Sequence, residues 1–213
     1  MLTVHHLRTS QSERIVWLCE ELGLQYELKS YDRDPVTRLA PPAYKALHPM
    51  GVAPVITDGA LKLAESGAIV EYLLARHGNG RLTLAASHPD FAEYLFWLHW
   101  SNGSLQPNLL RNMSLRRLEL PADNAVLTAA LARLDQALHE VDLRLGAATF
   151  FAGSEFTAAD IMTVFSLTTM RHFFPFDLGP FQHIKAYLQR IGAREAYRRA
   201  MQKAEPGTVP MLS

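Results

Sequence analysis

The chain has 213 residues, of which 48% are hydrophobic and 20% are charged, a composition typical of a globular protein with one large domain or two small ones. Lysine plus arginine equals aspartate plus glutamate, at 21 each, so charge does not favour nucleic acid or an anionic membrane surface as a partner. The single cysteine, Cys19, excludes an internal disulfide, and no stretch reaches the roughly 18 apolar residues of a membrane span, so we expect a cytoplasmic protein.

The first part of the chain predicts a strand, a helix and a second strand. Residues 2–7 (LTVHHL) alternate between apolar and polar side chains, which is typical of a strand. Residues 12–22 (SERIVWLCEEL) carry apolar side chains at helical spacing, and Gly23 is expected to end this helix. Residues 26–31 (YELKSY) predict the second strand, so the three elements form a crossover unit. A proline-marked connector with a short helical stretch, residues 38–47, follows.

A β-hairpin and a helix complete this part of the chain. The segments APVIT and ALKLA flank Asp58 and Gly59, and a tight hairpin turn needs the positive φ angles that these two residue types readily adopt. A helix is expected from Glu65 to Arg76. We therefore assign residues 1–80 to a first, α/β domain.

The remainder of the chain predicts helices only. From Phe91 onward almost every segment has helical periodicity, with leucine-rich stretches such as AVLTAALARLDQALHEVDLRL. One helix start is well marked, because the motif FTAADI offers Thr157 as the N-cap and Asp160, three residues later, as its capping-box partner. We assign residues 88–213 to a second, all-helical domain.

Few motifs in the chain carry chemistry by themselves. There is no glycine-rich phosphate loop, and none of the nine histidines pairs with another at the four-residue spacing of a helical zinc site. We therefore expect neither a bound nucleotide nor a metal. Cys19 lies on the apolar face of its helix, where a cysteine acts as a small hydrophobic residue. The remaining candidates are polar residues at the ends of the predicted elements.

Three motifs, in their order along the chain, resemble a known family. The loop RTSQSER follows the first strand, HPMGVAPVI leads into the hairpin, and LAES ends it. Together with FTAADI they resemble the cytosolic glutathione S-transferases over essentially the whole chain, and in particular a serine-type, theta- or beta-like branch found in bacteria and fungi. The resemblance implies a thioredoxin-like α/β amino-terminal domain, an all-α carboxy-terminal domain, and a homodimer.

The resemblance also implies a binding site for glutathione. It implies that the Ala53–Pro54 peptide bond is cis and that the backbone of Ala53 pairs with the cysteinyl backbone of the tripeptide. The alternative is that Pro54 only protects a sheet edge from pairing. Glu65 and Ser66 stand where a helix begins, so Ser66 would hold the γ-glutamyl carboxylate and Glu65 would attract the neighbouring ammonium group. Helix capping alone would also explain Ser66.

Other side chains are candidates for the two remaining parts of glutathione. Arg38 and His48 both suit the glycine carboxylate, and the sequence does not choose between them. The thiol must ionise, and Ser10, just after the first strand, matches the serine that stabilises the thiolate in theta-like members. Ser12 is the alternative, although its position before the first helix favours an N-cap. No tyrosine or cysteine occupies this loop, so a serine-type transferase is expected.

The second substrate is expected to be a small apolar electrophile, bound in a pocket between the two domains. The first long helix of the second domain offers aromatic and hydrogen-bonding side chains for it, namely Trp97, His99, Trp100, Asn102 and Asn108. Two alternatives remain, because a fold does not determine a reaction. One is a glutathione-dependent isomerase, peroxidase or dehalogenase, and the other is a catalytically silent relative that binds glutathione, an apolar ligand or a protein.

Overall fold

The computed structural model describes residues 1–213 as two compact units. Unit 1 consists of residues 1–83 and 192–210, and unit 2 consists of residues 84–191 and 211–213. None of the helices combines the length and the apolar character that crossing a bilayer requires.

Unit 1 is built on a four-stranded mixed sheet. Its strands are β1 (Leu2–Leu7), β2 (Glu27–Tyr31), β3 (Val55–Asp58) and β4 (Leu61–Ala64), in the spatial order β2-β1-β3-β4. β1 and β2 are parallel, whereas β3 is antiparallel to both β1 and β4. The predicted crossover and hairpin are therefore confirmed, and Gly59 in the hairpin turn has the positive φ, 59°, that such a turn requires.

The central strand β1 is buried along its whole length. Its polar residues are covered together with its apolar ones, although their alternation alone would also fit a strand with one exposed face. The two ring nitrogens of His5 lie 3.1 Å and 3.3 Å from the hydroxyls of Tyr31 and Thr57. His6, the next residue, points to the opposite face of the sheet, since successive side chains in a strand alternate.

Three helices lie in the first 83 residues. They are α1 (Glu13–Leu22), α2 (Pro42–Lys45) and α3 (Ser66–Leu73), and α3 continues into a π-helical turn, Leu74–Gly78. α1 ends at Gly23, whose φ of 63° is left-handed. α2 is shorter than the stretch 38–47 because Pro41 and Pro42 each disfavour a helical conformation in the residue before them, so the helix begins at Pro42.

Unit 2 is helical, as predicted. Its helices are α4 (Phe91–Trp100), α5 (Gln106–Arg116), α6 (Ala125–Ala147), α7 (Ala158–Leu167) and α8 (Gln182–Gly192). A π-helical turn, Ser101–Leu105, joins α4 to α5. Pro107 follows this turn, and because proline has no N–H group to donate, the regular α-helical hydrogen-bond pattern cannot continue unbroken through it.

The buried helix α7 begins with the predicted capping box. Thr157 accepts a hydrogen bond from the Ala159 N–H at 3.3 Å, and Asp160 accepts one from the Thr157 N–H at 2.9 Å. Asp160 also accepts hydrogen bonds from the Phe151 N–H and the Tyr187 hydroxyl. Burial raises the pKa of this carboxyl group to about 6, against the opposing effect of its hydrogen bonds.

The last helix, α9 (Glu195–Ala204), belongs to unit 1, although all of residues 88–213 are predicted from the sequence to form the second domain. It packs against α1. Arg194, just before α9, donates two hydrogen bonds to the carboxylate of Glu21, at 2.8 Å and 2.9 Å, and Lys203 lies 2.5 Å from Glu20. Helical periodicity predicts that α9 is a helix, but an apolar face does not specify which other element covers it.

Candidate functional site

The loop between β1 and α1 is held in a strained conformation. Thr9 has a positive φ of 52°, which is unusual for a β-branched residue and costs of order 1–3 kcal/mol. Its N–H donates to the carboxylate of Glu205, just after α9, and its carbonyl accepts a hydrogen bond from Arg33 at 3.0 Å. Arg33 also donates to the carbonyl of Arg8 at 2.9 Å. Both peptide groups of Thr9 are thus fixed by side chains from distant parts of unit 1.

The two candidate serines of this loop contact each other. The hydroxyl of Ser10 donates to the Leu7 carbonyl at 2.7 Å and lies 2.8 Å from that of Ser12. Ser10 is 5% exposed and Ser12 is completely buried. The Ser12 hydroxyl accepts a hydrogen bond from the Leu7 N–H at 3.1 Å and lies 2.8 Å from Nδ1 of His6. Ser10 is therefore the serine nearer to the surface.

The expectation that Ser12 caps α1 is wrong. Its side chain makes no hydrogen bond to the N–H groups of the first helical turn, because it points back toward β1. Its φ of −66° and ψ of −17° are already helical, whereas an N-cap residue normally has extended angles.

Two residues of α1 and its loop link the separate segments of the candidate site. Gln11 donates from Nε2 to the carbonyl of Ala53 at 3.0 Å and accepts a hydrogen bond from Arg14 at 2.8 Å. Arg14 also donates to the hydroxyl of Ser66 at 3.2 Å. Burial lowers the pKa of Arg14, but a guanidinium starts so high that it stays protonated at neutral pH. The sequence-predicted residues Ser10, Ala53 and Ser66 are thus brought together.

Gln11 and Arg14 are not among the site residues predicted from the sequence. A signal for Arg14 was present, because it shares a helical face with Leu18, four residues later, and a charged residue on an apolar face needs buried partners. No comparable signal exists for Gln11, since its partner Ala53 is distant in the sequence.

The turn before β3 and the start of α3 carry the other residues of the candidate site. The Ala53–Pro54 peptide bond is cis. Glu65 is exposed and has a φ of 70° and a ψ of 116°, a conformation that residues other than glycine rarely adopt. Glu65 is the N-cap residue of α3, and Ser66 is its first helical residue and is 1% exposed. Helix capping therefore does not explain Ser66.

Arg38 and His48 are not joined to these segments by hydrogen bonds of their side chains. Arg38 is exposed, and its backbone carbonyl accepts a hydrogen bond from Arg33 at 2.9 Å. His48 is half-buried, and its Nδ1 accepts a hydrogen bond from the Met50 N–H at 3.3 Å. The structure leaves both as candidates.

The candidate electrophile contacts in unit 2 fall into different environments. Trp100 and Asn108 line one groove of about 340 Å³, together with Arg111, Arg133 and Glu140. His99 and Asn102 do not line this groove, and Trp97 is a core residue, 5% exposed, with its ring centroid 5.1 Å from that of Phe151. A second depression, of about 380 Å³, is lined largely by apolar side chains that include Leu115, Leu127, Leu131 and Phe174.

The single cysteine is not suited to act as a nucleophile. Burial raises the pKa of the Cys19 thiol to about 12, so this cysteine is not a nucleophile at neutral pH. No group of three or more histidine, cysteine, aspartate or glutamate side chains is arranged to hold a metal ion.

Family models match both parts of the chain. Residues 1–75 match the model described as glutathione S-transferase, N-terminal domain, and residues 106–195 match glutathione S-transferase, C-terminal domain.

Individual proteins are similar over nearly the whole chain. Glutathione S-transferase 3 of Schizosaccharomyces pombe is 34% identical over 100% of this chain and 92% of its own length. A crystal structure of a glutathione S-transferase from Actinobacillus pleuropneumoniae has a TM-score of 0.88 and 33% identity and covers 100% of this chain and 98% of its own. A theta class glutathione S-transferase from Xanthomonas axonopodis pv. citri, with glutathione bound, has a TM-score of 0.71 and 28% identity, covering 93% of this chain and 96% of its own.

Proposed function

The chain belongs to the cytosolic glutathione S-transferase superfamily, and from this premise we propose that it joins glutathione to a small apolar electrophile. One observation carries the proposal. The side chains of Gln11 and Arg14 tie the loop of Ser10 to the Ala53 carbonyl and the Ser66 hydroxyl, so three segments suited to the tripeptide share one hydrogen-bonded framework.

Glutathione would lie along this framework in an extended conformation. The backbone of Ala53 pairs with the cysteinyl backbone, as an added strand does at a sheet edge. Ser66 and the N–H groups of the first turn of α3 hold the γ-glutamyl carboxylate, where the positive end of the helix dipole also lies. The exposed carboxylate of Glu65 attracts the neighbouring ammonium group. Arg38 or His48 receives the glycine carboxylate.

Ser10 is the proposed activator of the thiol. A free thiol of this kind has a pKa near 8.5, so lowering it by two units needs about 2.7 kcal/mol of preferential stabilisation of the thiolate. A hydroxyl that donates to sulfur supplies a large part of this, and the amino terminus of α1 adds to it. The complete burial of Ser12 supports Ser10 over Ser12 for this role.

The electrophile would be selected by side chains of unit 2. The groove with Trp100 and Asn108 offers an aromatic surface and amide groups, and it supports these two residues over His99 and Asn102.

We also propose that the protein is a homodimer. Sedimentation at micromolar concentration measures this directly, and a monomer would contradict it.

Binding and catalysis can be tested separately. We expect retention on immobilised glutathione, and a stabilisation of about 2.7 kcal/mol when glutathione is present at 100 times its dissociation constant. We also expect turnover with a chlorinated nitrobenzene as electrophile. A protein that shows neither retention nor stabilisation would contradict the proposed site. Stabilisation without turnover would instead identify a catalytically silent relative, and a hydroperoxide assay tests for a peroxidase.

A further inference from the structure

A chain of buried hydrogen bonds leads from Ser10 into the interior of unit 1. The Ser10 and Ser12 hydroxyls are 2.8 Å apart, the Ser12 hydroxyl is 2.8 Å from Nδ1 of His6, and Nε2 of His6 is 3.1 Å from the carboxylate of Glu205. His6 and Ser12 are completely buried, and Glu205 is 5% exposed. Two hydroxyls, an imidazole and a carboxylate therefore form one continuous path of proton donors and acceptors.

The carboxylate at the end of this path determines how the imidazole is used. An ionised carboxylate only accepts hydrogen bonds, so Nε2 of His6 carries a hydrogen and donates it to Glu205. In the neutral ring, Nδ1 then has a free lone pair that accepts the hydrogen of the Ser12 hydroxyl. Ser12 in turn can accept the hydrogen of Ser10 when that hydroxyl turns from the Leu7 carbonyl, 2.7 Å away, to the Ser12 oxygen, 2.8 Å away. Every hydrogen on the path can thus point away from Ser10 and toward Glu205.

We propose that His6 accepts, through Ser12 and Ser10, the proton that the glutathione thiol loses when it binds. This inference rests on the proposed function, in which Ser10 contacts the sulfur. The thiol hydrogen moves to Ser10 as the Ser10 hydrogen moves to Ser12 and the Ser12 hydrogen moves to Nδ1 of His6. The electron pair of the S–H bond stays on sulfur, both serines end neutral, and His6 becomes an imidazolium.

The positive charge that the transfer places on His6 has a carboxylate beside it. Nε2 of His6 lies 3.1 Å from the carboxylate of Glu205, so the new imidazolium is a charge-assisted hydrogen-bond donor and not an unpaired buried charge. Glu205 is itself held by the N–H of Thr9, and the cation of Arg33 contacts the carbonyl of Thr9. After the transfer, Ser10 donates a hydrogen bond to the thiolate, and the new positive charge lies two hydroxyl groups away from it.

The simpler alternative is that these bonds only fix the loop, in which case the thiol proton leaves for the solvent. Proton stoichiometry separates the two possibilities in the unmodified protein. Near pH 7, thiolate formation on adding glutathione is followed by ultraviolet absorbance, and proton release by a pH indicator in weak buffer. The same measurement with S-methylglutathione, which has no thiol, corrects for protons from the rest of the tripeptide. We expect about zero protons released per thiolate formed, whereas a purely structural role predicts about one.

Two variants extend the test. His6→Asn retains an acceptor near Ser12 but removes the group that takes up the proton, so release should rise to about one proton per thiolate. Ser12→Ala interrupts the path while keeping His6, and the same rise is expected. Release of one proton per thiolate by the unmodified protein would overturn the proton path and leave the proposed transferase function intact. Binding of glutathione with no thiolate absorbance would overturn both.

Discussion

Glu65 has backbone angles, φ 70° and ψ 116°, that a glycine would adopt at much lower cost. Strain of this kind costs of order 1–3 kcal/mol and is found where the surrounding structure and the function require it. Here it sets the start of α3, and with it the position of Ser66. Because this strain lowers the stability of the fold, the Glu65 carboxylate is expected to serve binding and not stability.

Replacing Glu65 should therefore affect binding more than folding. Glu65→Gly removes both the strain, of order 1–3 kcal/mol, and the carboxylate. The greater freedom of glycine in the unfolded chain opposes this by roughly 0.5–1 kcal/mol, so we expect the free energy of unfolding to be unchanged or to rise by up to about 2 kcal/mol. Affinity for glutathione should fall about tenfold or more, because a charged hydrogen bond to the ammonium group is lost. Glu65→Gln is the matched control, since it keeps the shape and removes the charge. Calorimetric titration and urea unfolding measure the two quantities, and glutathione affinity equal to that of the original protein in both variants would exclude the proposed role.

The role of Ser10 is tested by the thiol itself. Ser10→Ala should raise the apparent pKa of bound glutathione, because a donor to sulfur stabilises the charged form. The conjugation rate should fall about ten- to a hundredfold when thiolate attack limits turnover, with little change in glutathione affinity. Ser10→Thr keeps a hydroxyl on the same Cβ and should retain the low pKa. An unchanged pKa in Ser10→Ala would move the assignment to Ser12.

The contact between helices α1 and α9 includes a charged residue, Glu20, at its edge. Glu20 accepts hydrogen bonds from Lys203 at 2.5 Å, Tyr26 at 2.8 Å and Arg199 at 3.2 Å. Burial alone would raise the pKa of Glu20, but these hydrogen bonds outweigh it and lower the pKa below its usual value. A carboxylate whose pKa is lower in the folded than in the unfolded state stabilises the fold above the unfolded pKa, and this contribution is lost as the pH falls through the folded pKa.

The pH dependence of stability should therefore change in Glu20→Gln. At pH 7 the variant is expected to be less stable than the original protein, and the difference should shrink as the pH falls below about 4.5. Urea unfolding at a series of pH values measures this difference. Glu71→Gln, on an exposed position of α3, serves as a control that should show no such trend. A difference that stays constant with pH would contradict the assigned contribution of Glu20.

At the scale of the whole molecule, unit 1 is assembled from both ends of the chain. α9 covers α1 with buried residues that include Tyr197, Ala200 and Met201, and Glu205, just after α9, holds the loop of Ser10 through Thr9 and His6. The amino-terminal segment alone thus lacks both part of its core and a support of its proposed site.

Removal of the carboxy-terminal segment should consequently damage unit 1. A chain that ends at Ala193 loses α9 and Glu205, and we expect its free energy of unfolding to fall by more than about 3 kcal/mol, since several apolar side chains lose their cover. A chain that ends at Pro210 keeps both and should unfold close to the original midpoint. Thermal unfolding followed by circular dichroism compares them, and equal midpoints for the two truncated chains would contradict this account.

Features that depend on near neighbours along the chain could be predicted from the residues alone. Period-two and helical patterns predict the strands and helices, Asp58 and Gly59 predict the hairpin, and Thr157 with Asp160 predicts the start of α7, because each signal and its structure lie within a few residues. The order of the motifs was also sufficient to indicate the family. Ser10, Ala53 and Ser66 could be selected in this way before any of their contacts was known.

The contacts between these elements could not be predicted from the residues and are visible only in the folded protein. The helical pattern of α9 does not indicate that it covers α1, and no local signal pairs Glu205 with Thr9 and His6, nearly 200 residues away. The same holds for Gln11 with Ala53 and for the direction of the Ser12 side chain, which points to β1 instead of capping α1. Such contacts are made when distant polar groups are buried together and must satisfy one another, a requirement that the complete fold imposes and that local sequence does not display.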